Sequence, residues 1–450
     1  MHTRSSGLMI AVAVIVLELI GGMQAYLNQL ILPIMAQELN AQSSYGVVLG
    51  IAAIASMAGL PIGAALMNRV PLSKLLLGAT AFLVIGSIAS ALAPHIAIYV
   101  FGVLVRGLAG SILAMTSIGA VALGLSGRAR QLTLAFASAS WMISSIIGPT
   151  YAAWVTHLLS WRWAMLLYLP FLVIARIIVA VNLKTDGSRK DSPFSYAALL
   201  MIIAGVTATI IPANGVIKIG LLITGMLLLG RVAIVLMPKG TFTQLTSRRA
   251  ALAGMFFLTG SYFAANELVS LTAHDIYRAG ADSLGLILTG GGLAWAVLGV
   301  LCGMKPANST RTYRARSTIG VTLLAASSAA IGVFTFLNWQ PISPTAMFVV
   351  FWTIAGIGMG LAYLDTLNIL FEDPATPDGI SIEEIASSSV IVESLSSTMF
   401  IPLTTSIVGM AFHSGQEQSA MPYGTSWVIV VALACCALMY LSHARPAGAQ

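Results

Sequence analysis

Charged residues are scarce in this 450-residue chain, in which Asp, Glu, Lys and Arg together make up 8% of the sequence. Charged residues make up about a quarter of a typical soluble domain, so a water-soluble globular protein is excluded.

Only three cysteines occur, and Cys302, Cys435 and Cys436 all lie in apolar runs without metal-binding or redox spacing. The sequence has no GxxxxGK[ST] phosphate loop, and its loops are too short for a nucleotide-binding domain. We therefore expect no metal, no cofactor, no nucleotide or nucleic-acid partner, and no ATP hydrolysis by this chain.

Apolar runs of about 20 residues, the length that crosses a bilayer as a helix, fill most of the sequence. Hydrophobic residues make up 58% of the chain, and the mean hydropathy is +0.92. The runs lack the ten-residue alternation of an outer-membrane barrel, so we predict an all-α polytopic membrane protein. The opening MHTRSS and its apolar run resemble a signal peptide, but the run continues too far and is interpreted as the first membrane helix. Fourteen spans are predicted, at 8–33, 45–67, 75–93, 97–124, 133–157, 163–183, 196–214, 217–237, 250–272, 281–304, 317–338, 345–369, 384–410 and 425–442.

The basic residues alternate between the two sides of these spans, which predicts the orientation. With a cytoplasmic N-terminus, the inner loops hold Arg69, Lys74, Arg128, Arg130, Lys184, Arg189, Lys190, Lys239, Arg248, Arg249, Lys305, Arg311, Arg314 and Arg316. The outer loops hold only Arg162, Lys218 and Arg278. We therefore predict that both termini are cytoplasmic and that the net charge of +7 reflects topology rather than an anionic partner. The longest inner linker divides the chain into six helices (1–184), a linker with two more helices (185–240), and six helices (241–450).

The fifth predicted span carries the most specific motif. Gly148-Pro149 is followed by two small residues, Ala152 and Ala153, and then by the segment SWRW at 160–163. A Gly-Pro step loosens a helix and lets a neighbouring helix approach closely. With this spacing, the stretch resembles the antiporter motif of the major facilitator superfamily and, more narrowly, of its fourteen-helix bacterial drug:proton antiporter group. An ordinary packing kink is the simpler interpretation of the Gly-Pro step alone.

Three further stretches match the same family with departures. The loop PIGAALMNRVPLSKLLL resembles the family's gating loop, with Arg69 and Lys74 at basic positions and Asn68 in place of the usual Asp. In span four, Arg106 and Gly110 match the pattern R-x-x-q-G, whose buried Arg the family associates with proton coupling. Span one resembles the group's LDxTIVNVALPxIaxxL, but Gln24 stands where the group usually carries an acid.

The resemblance covers essentially the whole chain and implies a fold. It implies two six-helix bundles around a central cavity, plus two inserted helices, in a monomer of the bacterial cytoplasmic membrane. The first, fourth, ninth and twelfth spans would line the cavity. It also implies a small-molecule substrate and protons as the transported partners, without a cofactor.

Buried ionisable residues are the main functional candidates, because each costs at least about 2.5–3.5 kcal/mol at the bilayer centre. They are Glu18, Arg106, Glu267, Asp365 and Glu393, and the first four fall on the predicted cavity-lining helices. Glu18 lies roughly 15 Å inside span one, at a rise of about 1.5 Å per residue. We therefore expect Glu18 to carry the proton in place of an acid at position 24, and Arg106 to stabilise its ionised form in one state. A static ion pair between Glu18 and Arg106 is the structural alternative.

Polar and aromatic residues on the same spans are predicted to line the cavity: Gln24, Tyr26, Asn28, Trp141, Tyr262, Asn266, Glu267, Trp295, Asp365 and Glu393. Each alone is more often a packing residue than a site residue. Arg176 and Arg231 are interpreted as snorkelling to the inner surface. The GGG at 290–292 is expected to permit close helix packing.

The sequence thus favours a proton-coupled exporter of amphiphilic or cationic small molecules that works by alternating access. Two alternatives remain. One is a specific exporter or importer of a single metabolite, such as a siderophore or another biosynthetic product. The other is a non-transporting membrane receptor or assembly factor on the same fold. An enzyme is not expected, because the sequence shows no nucleophile–base pair and no metal cluster.

Overall fold

The computed structural model describes residues 2–67, 69–124, 127–182, 196–213, 215–337, 343–372, 379–413 and 419–446. The regular elements in these ranges are helices. They are α1 (His2–Glu38), a 3-10 turn (Gln42–Ser44), α2 (Tyr45–Met67), α3 (Leu72–Ala91), α4 (Ile96–Gly124), α5 (Gly127–Leu158), α6 (Trp161–Ala164), α7 (Leu169–Asn182), α8 (Tyr196–Ile210), α9 (Gly215–Leu236), α10 (Ser247–Asp275), α11 (Ala281–Met304), α12 (Thr310–Leu337), α13 (Pro344–Phe371), α14 (Ile382–His413) and α15 (Met421–Leu441). The all-helical class predicted from the sequence is confirmed.

Within the described residues, eleven helical segments are long and apolar enough to cross a membrane. The other three predicted spans coincide with α5, α8 and α10. The helix α8 has only 15 residues, and α10 carries polar side chains that lower its hydropathy. The count of fourteen spans and the cytoplasmic position of both termini stay predictions.

The sixth predicted span, 163–183, differs from a single helix. A turn separates α6 from α7. In this turn the amide of Leu167 donates to the carbonyl of Trp163 at 3.0 Å, and the amide of Leu169 donates to the carbonyl of Leu166 at 3.0 Å. Pro170 follows as the second residue of α7. Proline has no amide hydrogen to donate and its φ suits the first helical turn, so it starts a helix well but does not continue one. The helix therefore restarts at this position.

The chain divides into two compact units. The first comprises Met1–Ala41 and Ile51–Leu199, and the second comprises Gln42–Gly50 and Leu200–Gln450. The first two turns of α2 are thus grouped with the second unit. The border at 199/200 falls within the segment 185–240 that the sequence assigns to a linker and two helices. The three-part division itself stays a prediction.

In the first unit, α1 packs along α5 and α7, and α3 packs along α4. Small residues make the second of these contacts possible. A Cβ on Gly86 would lie 2.9 Å from the backbone nitrogen of Arg106, and one on Gly102 would lie 2.7 Å from that of Ser90. The two backbones therefore touch, which fixes the height of Arg106 on α4 relative to α3.

In the second unit, α10 is the central helix and packs against α13, α14 and α15. Twenty-two of its 29 residues are buried. Within 250–274, all side chains are buried except four. The four half-buried ones are Phe257, Phe263, Asn266 and Glu267. A helix with mixed composition thus lies in the protein interior, and Asn266 and Glu267 are its half-buried polar residues in this range.

Candidate functional site

Five aromatic side chains from three helices meet in the second unit. The Tyr262 ring stacks on Trp352 at 5.2 Å between centroids with planes 17° apart, and Trp295 contacts Tyr262 edge-on at 5.2 Å. Trp295 also contacts Phe263 at 6.3 Å and Tyr363 at 6.0 Å. We call Tyr262, Phe263, Trp295, Trp352 and Tyr363 the aromatic cluster. Tyr262 and Trp352 are buried, whereas Phe263, Trp295 and Tyr363 are half-buried and form its open side.

Glu393 on α14 joins this cluster through Tyr363. The Tyr363 hydroxyl donates a hydrogen bond to Oε1 of Glu393, which is half-buried. A carboxylate near aromatic side chains can offer a cation an ionic contact, and the faces of such rings attract cations through their quadrupoles. The predicted cavity residues Tyr262, Trp295 and Glu393 are therefore part of one arrangement that suits an apolar ligand with a positive charge.

Two predicted polar residues lie on the same face of α10 as Phe263. Asn266 and Glu267 follow Phe263 by three and four positions, which places all three on one side of the helix. All three are half-buried on a helix that is otherwise almost wholly buried. Glu267 is therefore a second carboxylate on the face of α10 that carries Phe263.

The sequence missed Phe263, Trp352 and Tyr363 as members of the site. The GGG segment was the usable signal for Trp352, because Gly291 lies directly against its indole nitrogen and leaves no room for a Cβ. Close packing was predicted at this segment and is observed. Tyr363 lies two residues before Asp365 on α13, and a single tyrosine in an apolar span carries no signal of its own in the sequence.

Asp365 is held by structural contacts. Its carboxylate is 2% exposed, accepts from Nη1 of Arg316 at 3.0 Å and accepts the backbone amide of Ala307 at 3.1 Å. Arg316 Nη1 also donates to the carbonyl of Lys305 at 2.8 Å. Both oxygens of Asp365 are therefore engaged with α12 and with the segment before it. This geometry favours an interhelical lock over the cavity role predicted from the sequence.

In the first unit, Arg106 meets a predicted cavity residue. Its Nη2 donates to Oδ1 of Asn28 on α1 at 2.9 Å.

Arg176 on α7 is buried, and its Nη1 donates to Oγ of Ser117 on α4 at 2.5 Å. It also lies within electrostatic reach of Glu18. Arg176 is therefore an interior charge in place of a snorkelling one, and it adds a second cation to the predicted Glu18–Arg106 system.

The Gly-Pro motif lies against α1. A Cβ on Gly148 would lie 3.1 Å from Cβ of Tyr26 and 3.2 Å from Cα of Met23, so the glycine lets the two helices approach. One turn earlier on α5, the hydroxyl of Ser144 donates to the carbonyl of Leu19 at 2.8 Å. Two turns earlier, the hydroxyl of Ser140 donates to the carbonyl of Ile15 at 3.4 Å. We call the contacts of Ser140, Ser144 and Gly148 with α1 the α1–α5 seam. Pro149 is buried beside it.

The SWRW segment holds the end of α1. The indole nitrogen of Trp161 donates to Oε2 of Glu38 at 2.5 Å, and Arg162 forms an ion pair with the same carboxylate. The Arg162 guanidinium lies 4.3 Å from the Trp161 ring centroid. Glu38 did not stand out in the sequence, and these contacts give the motif a structural role.

The remaining predicted site residues have less distinctive surroundings. Gln24 is half-buried on α1, and a Cβ on Gly110 would meet no atom within 4 Å. Arg69 and Lys74 are exposed in the connection between α2 and α3. Asn68 and the side chain of Trp141 lie outside the described residues. The gating roles of the loop residues stay predictions.

Comparison with known proteins gives a consistent picture. The family model described as Major Facilitator Superfamily matches residues 14–378. A "Multidrug resistance protein B homolog" of Mycobacterium tuberculosis is 23% identical over 66% of this chain and 57% of its own length. The "Efflux pump FUS6" of Gibberella fujikuroi is 25% identical over 75% of this chain and 64% of its own. The chain thus spans about three fifths of these relatives. A crystal structure of a POT family transporter with a bound thioalcohol-conjugated peptide has a TM-score of 0.65 at 14% identity over 95% of both chains.

Proposed function

Because the chain belongs to the major facilitator superfamily, we propose that it is a proton-coupled exporter that exchanges amphiphilic organic cations for protons across the bacterial cytoplasmic membrane. The two halves of the cycle are cation binding from the cytoplasmic side and proton binding from the outside, with the site exposed to one side at a time. The efflux and multidrug-resistance names of the relatives support the direction and the substrate class.

The observation that carries this proposal is the pairing of Glu393 with the aromatic cluster. A ligand whose apolar part lies against Trp295 and whose charge lies against Glu393 would make contacts that a neutral or anionic compound would not. Cation–aromatic contacts contribute about 0.5–2 kcal/mol, more when water is excluded. The substrate class follows from this chemistry, and many cations of different shape satisfy it.

Proton coupling requires a carboxyl that is protonated when the substrate is absent. Glu393 meets this need, because a proton and a cation cannot both neutralise one carboxylate. Glu18 would provide a second exchange position, and Arg176 is the buried cation that interacts with it electrostatically. An intramembrane acid with a named partner is a functional residue by default.

Inverted membrane vesicles test the proposal. A pH gradient is generated across them, a lipophilic cation such as tetraphenylphosphonium is added, and collapse of the gradient is recorded with a pH-sensitive dye. The wild-type protein should collapse the gradient and Glu393→Gln should not. Glu384→Gln is the matched control, because Glu384 is an exposed acid on the same helix. Equal collapse with Glu393→Gln would contradict the role of Glu393, and no collapse by the wild type with any cation would contradict the function.

A further inference from the structure

A buried carboxylate that the proposed function does not use lies at the end of α10. The side chain of Asp275 is 6% exposed. Its Oδ1 accepts from the hydroxyl of Tyr45 at 3.0 Å and pairs with Nδ1 of His274 at 2.9 Å, and its Oδ2 accepts from the hydroxyl of Tyr423 at 2.6 Å. Three donors from three separate elements therefore converge on one carboxylate.

The position of Asp275 makes these donors necessary. The last carbonyls of a helix carry partial negative charge, so an acid in the final turn of α10 is disfavoured by the helix dipole. Desolvation adds to this cost. The groups that face Asp275 and its partners are His274 on α10, Tyr45 on α2, Tyr423 on α15 and, in the following turn, Arg278, which acts electrostatically on Tyr423. The ionised form is stable only while these donors stay in place.

Tyr45 connects this carboxylate to the first turns of α2. The segment Gln42–Gly50 is grouped with the second unit, whereas the rest of α2 is grouped with the first. The segment lies on α14, where a Cβ on Gly409 would be 2.8 Å from the carbonyl oxygen of Ser43, and the Tyr45 ring contacts Phe412 edge-on at 6.2 Å. The bond from Tyr45 to Asp275 adds a charge-assisted contact to the segment.

We propose that Asp275 is a proton-binding site, separate from Glu18 and Glu393, at which proton binding releases the first turns of α2 from α10. An ionised Asp275 accepts all three hydrogen bonds. A protonated Asp275 carries a hydrogen on one oxygen, so it loses part of its capacity to accept and holds Tyr45 less strongly. By linkage, the docked segment favours the ionised acid, and proton binding favours the released segment to the same extent.

The proposal is tested by a distance measurement in the full-length protein. Spin labels are placed at Gln42→Cys and Met421→Cys in a chain whose Cys302, Cys435 and Cys436 are replaced by alanine. Double electron–electron resonance then reports the separation of the segment from the start of α15 in lipid nanodiscs, as the pH is lowered stepwise from neutral to the most acidic value at which the protein stays folded. Acidification should raise the ratio of long to short distances about tenfold, the factor that corresponds to one weakened hydrogen bond to a charged acceptor.

Two variants with matched chemistry separate anchoring from general disturbance. Tyr45→Phe and Tyr423→Phe each remove one hydroxyl from Asp275, but only Tyr45 lies on the α2 segment. Tyr45→Phe should give the long distance even at alkaline pH, whereas Tyr423→Phe should retain the short one.

Two further variants identify the group that titrates. Asp275→Asn should make the distances independent of pH, and His274→Gln should retain the response to pH. Wild-type distances in both Tyr45→Phe and Asp275→Asn at every pH would overturn the proposal. A pH response that disappears in His274→Gln but persists in Asp275→Asn would overturn the assignment to Asp275. None of these readings depends on a transport substrate, so they are independent of the proposed function.

Discussion

The hydroxyl of Tyr363 donates a hydrogen bond to Oε1 of Glu393 and so joins α13 to α14 at the open side of the aromatic cluster. The phenol is thus both a ring contact for Trp295 and a donor to the carboxylate. Removing the hydroxyl leaves the ring in place. This separation of two roles in one side chain allows the ionic and aromatic contributions to binding to be measured apart.

Tyr363→Phe should change the apparent affinity for a lipophilic cation by about tenfold or less, because one hydrogen bond to a charged group contributes about 1.5–3 kcal/mol and water replaces part of it. Glu393→Gln should weaken the affinity by more than tenfold, since it removes the charge itself. The measurement is the Kd of tetraphenylphosphonium for the purified wild-type protein and both variants, because Glu393→Gln is expected to release no protons. Equal Kd values for wild type and Glu393→Gln would separate this carboxylate from substrate binding.

Gly148→Ala should lower the free energy of unfolding by about 1–3 kcal/mol, the usual cost of overpacking, because the new methyl group would press on Tyr26 and Met23 of α1. Gly110→Ala is the matched control on α4. Its Cβ meets no atom within 4 Å, and alanine favours a helix interior by about 0.5–1 kcal/mol. Thermal unfolding in detergent compares them, and the opposite order of stability would refute the close approach at Gly148.

Asp365→Asn should reduce the yield of folded protein rather than alter substrate preference. It leaves the Arg316 guanidinium without its ionic partner, and breaking a buried pair costs about 3–5 kcal/mol. Because Arg316 is 25% exposed, solvent screens the pair and the loss should fall below that range. Size-exclusion profiles and the KM of the surviving protein test this. A normal yield with a changed substrate range would return Asp365 to the cavity.

Glu18→Gln should abolish proton release on substrate addition, whereas Glu18→Asp should retain part of it, because a shorter acid still exchanges a proton. Arg176→Met should impair the same step, since it removes a cation that favours the ionised acid. The readout is the pH dependence of transport, measured as the rate at each external pH. A pH profile of Glu18→Gln that matches the wild type would leave Glu18 with a structural role alone.

The sequence predicted the helices well because apolar length is a strong local signal. It also identified Tyr262, Trp295 and Glu393 as separate candidates. Their common location could not be predicted, since it depends on the rotation of three helices, α10, α11 and α14, about their axes. The same limit explains Arg176, whose distance from a span end suggests snorkelling, although the rotation of α7 turns it toward Ser117.

Asp275 shows a second limit of the sequence. An acid at a helix end is ordinarily hydrated, and nothing near it in sequence indicates burial. Its partners Tyr45 and Tyr423 are 230 and 148 residues away along the chain. Buried polar groups that depend on such distant donors are found only when the packing is known.

The α1–α5 seam constrains how Glu18 changes its surroundings. A helix held at three successive turns, by Ser140, Ser144 and Gly148, has a fixed rotational setting on its neighbour. Glu18 lies between the α1 residues that accept the bonds from Ser140 and Ser144, so rotation of α1 about its axis would break these bonds. Glu18 therefore keeps its orientation relative to α5 as long as these contacts hold. The proton exchange that we propose for Glu18 is compatible with an intact seam when other helices move, or when α1 and α5 tilt together.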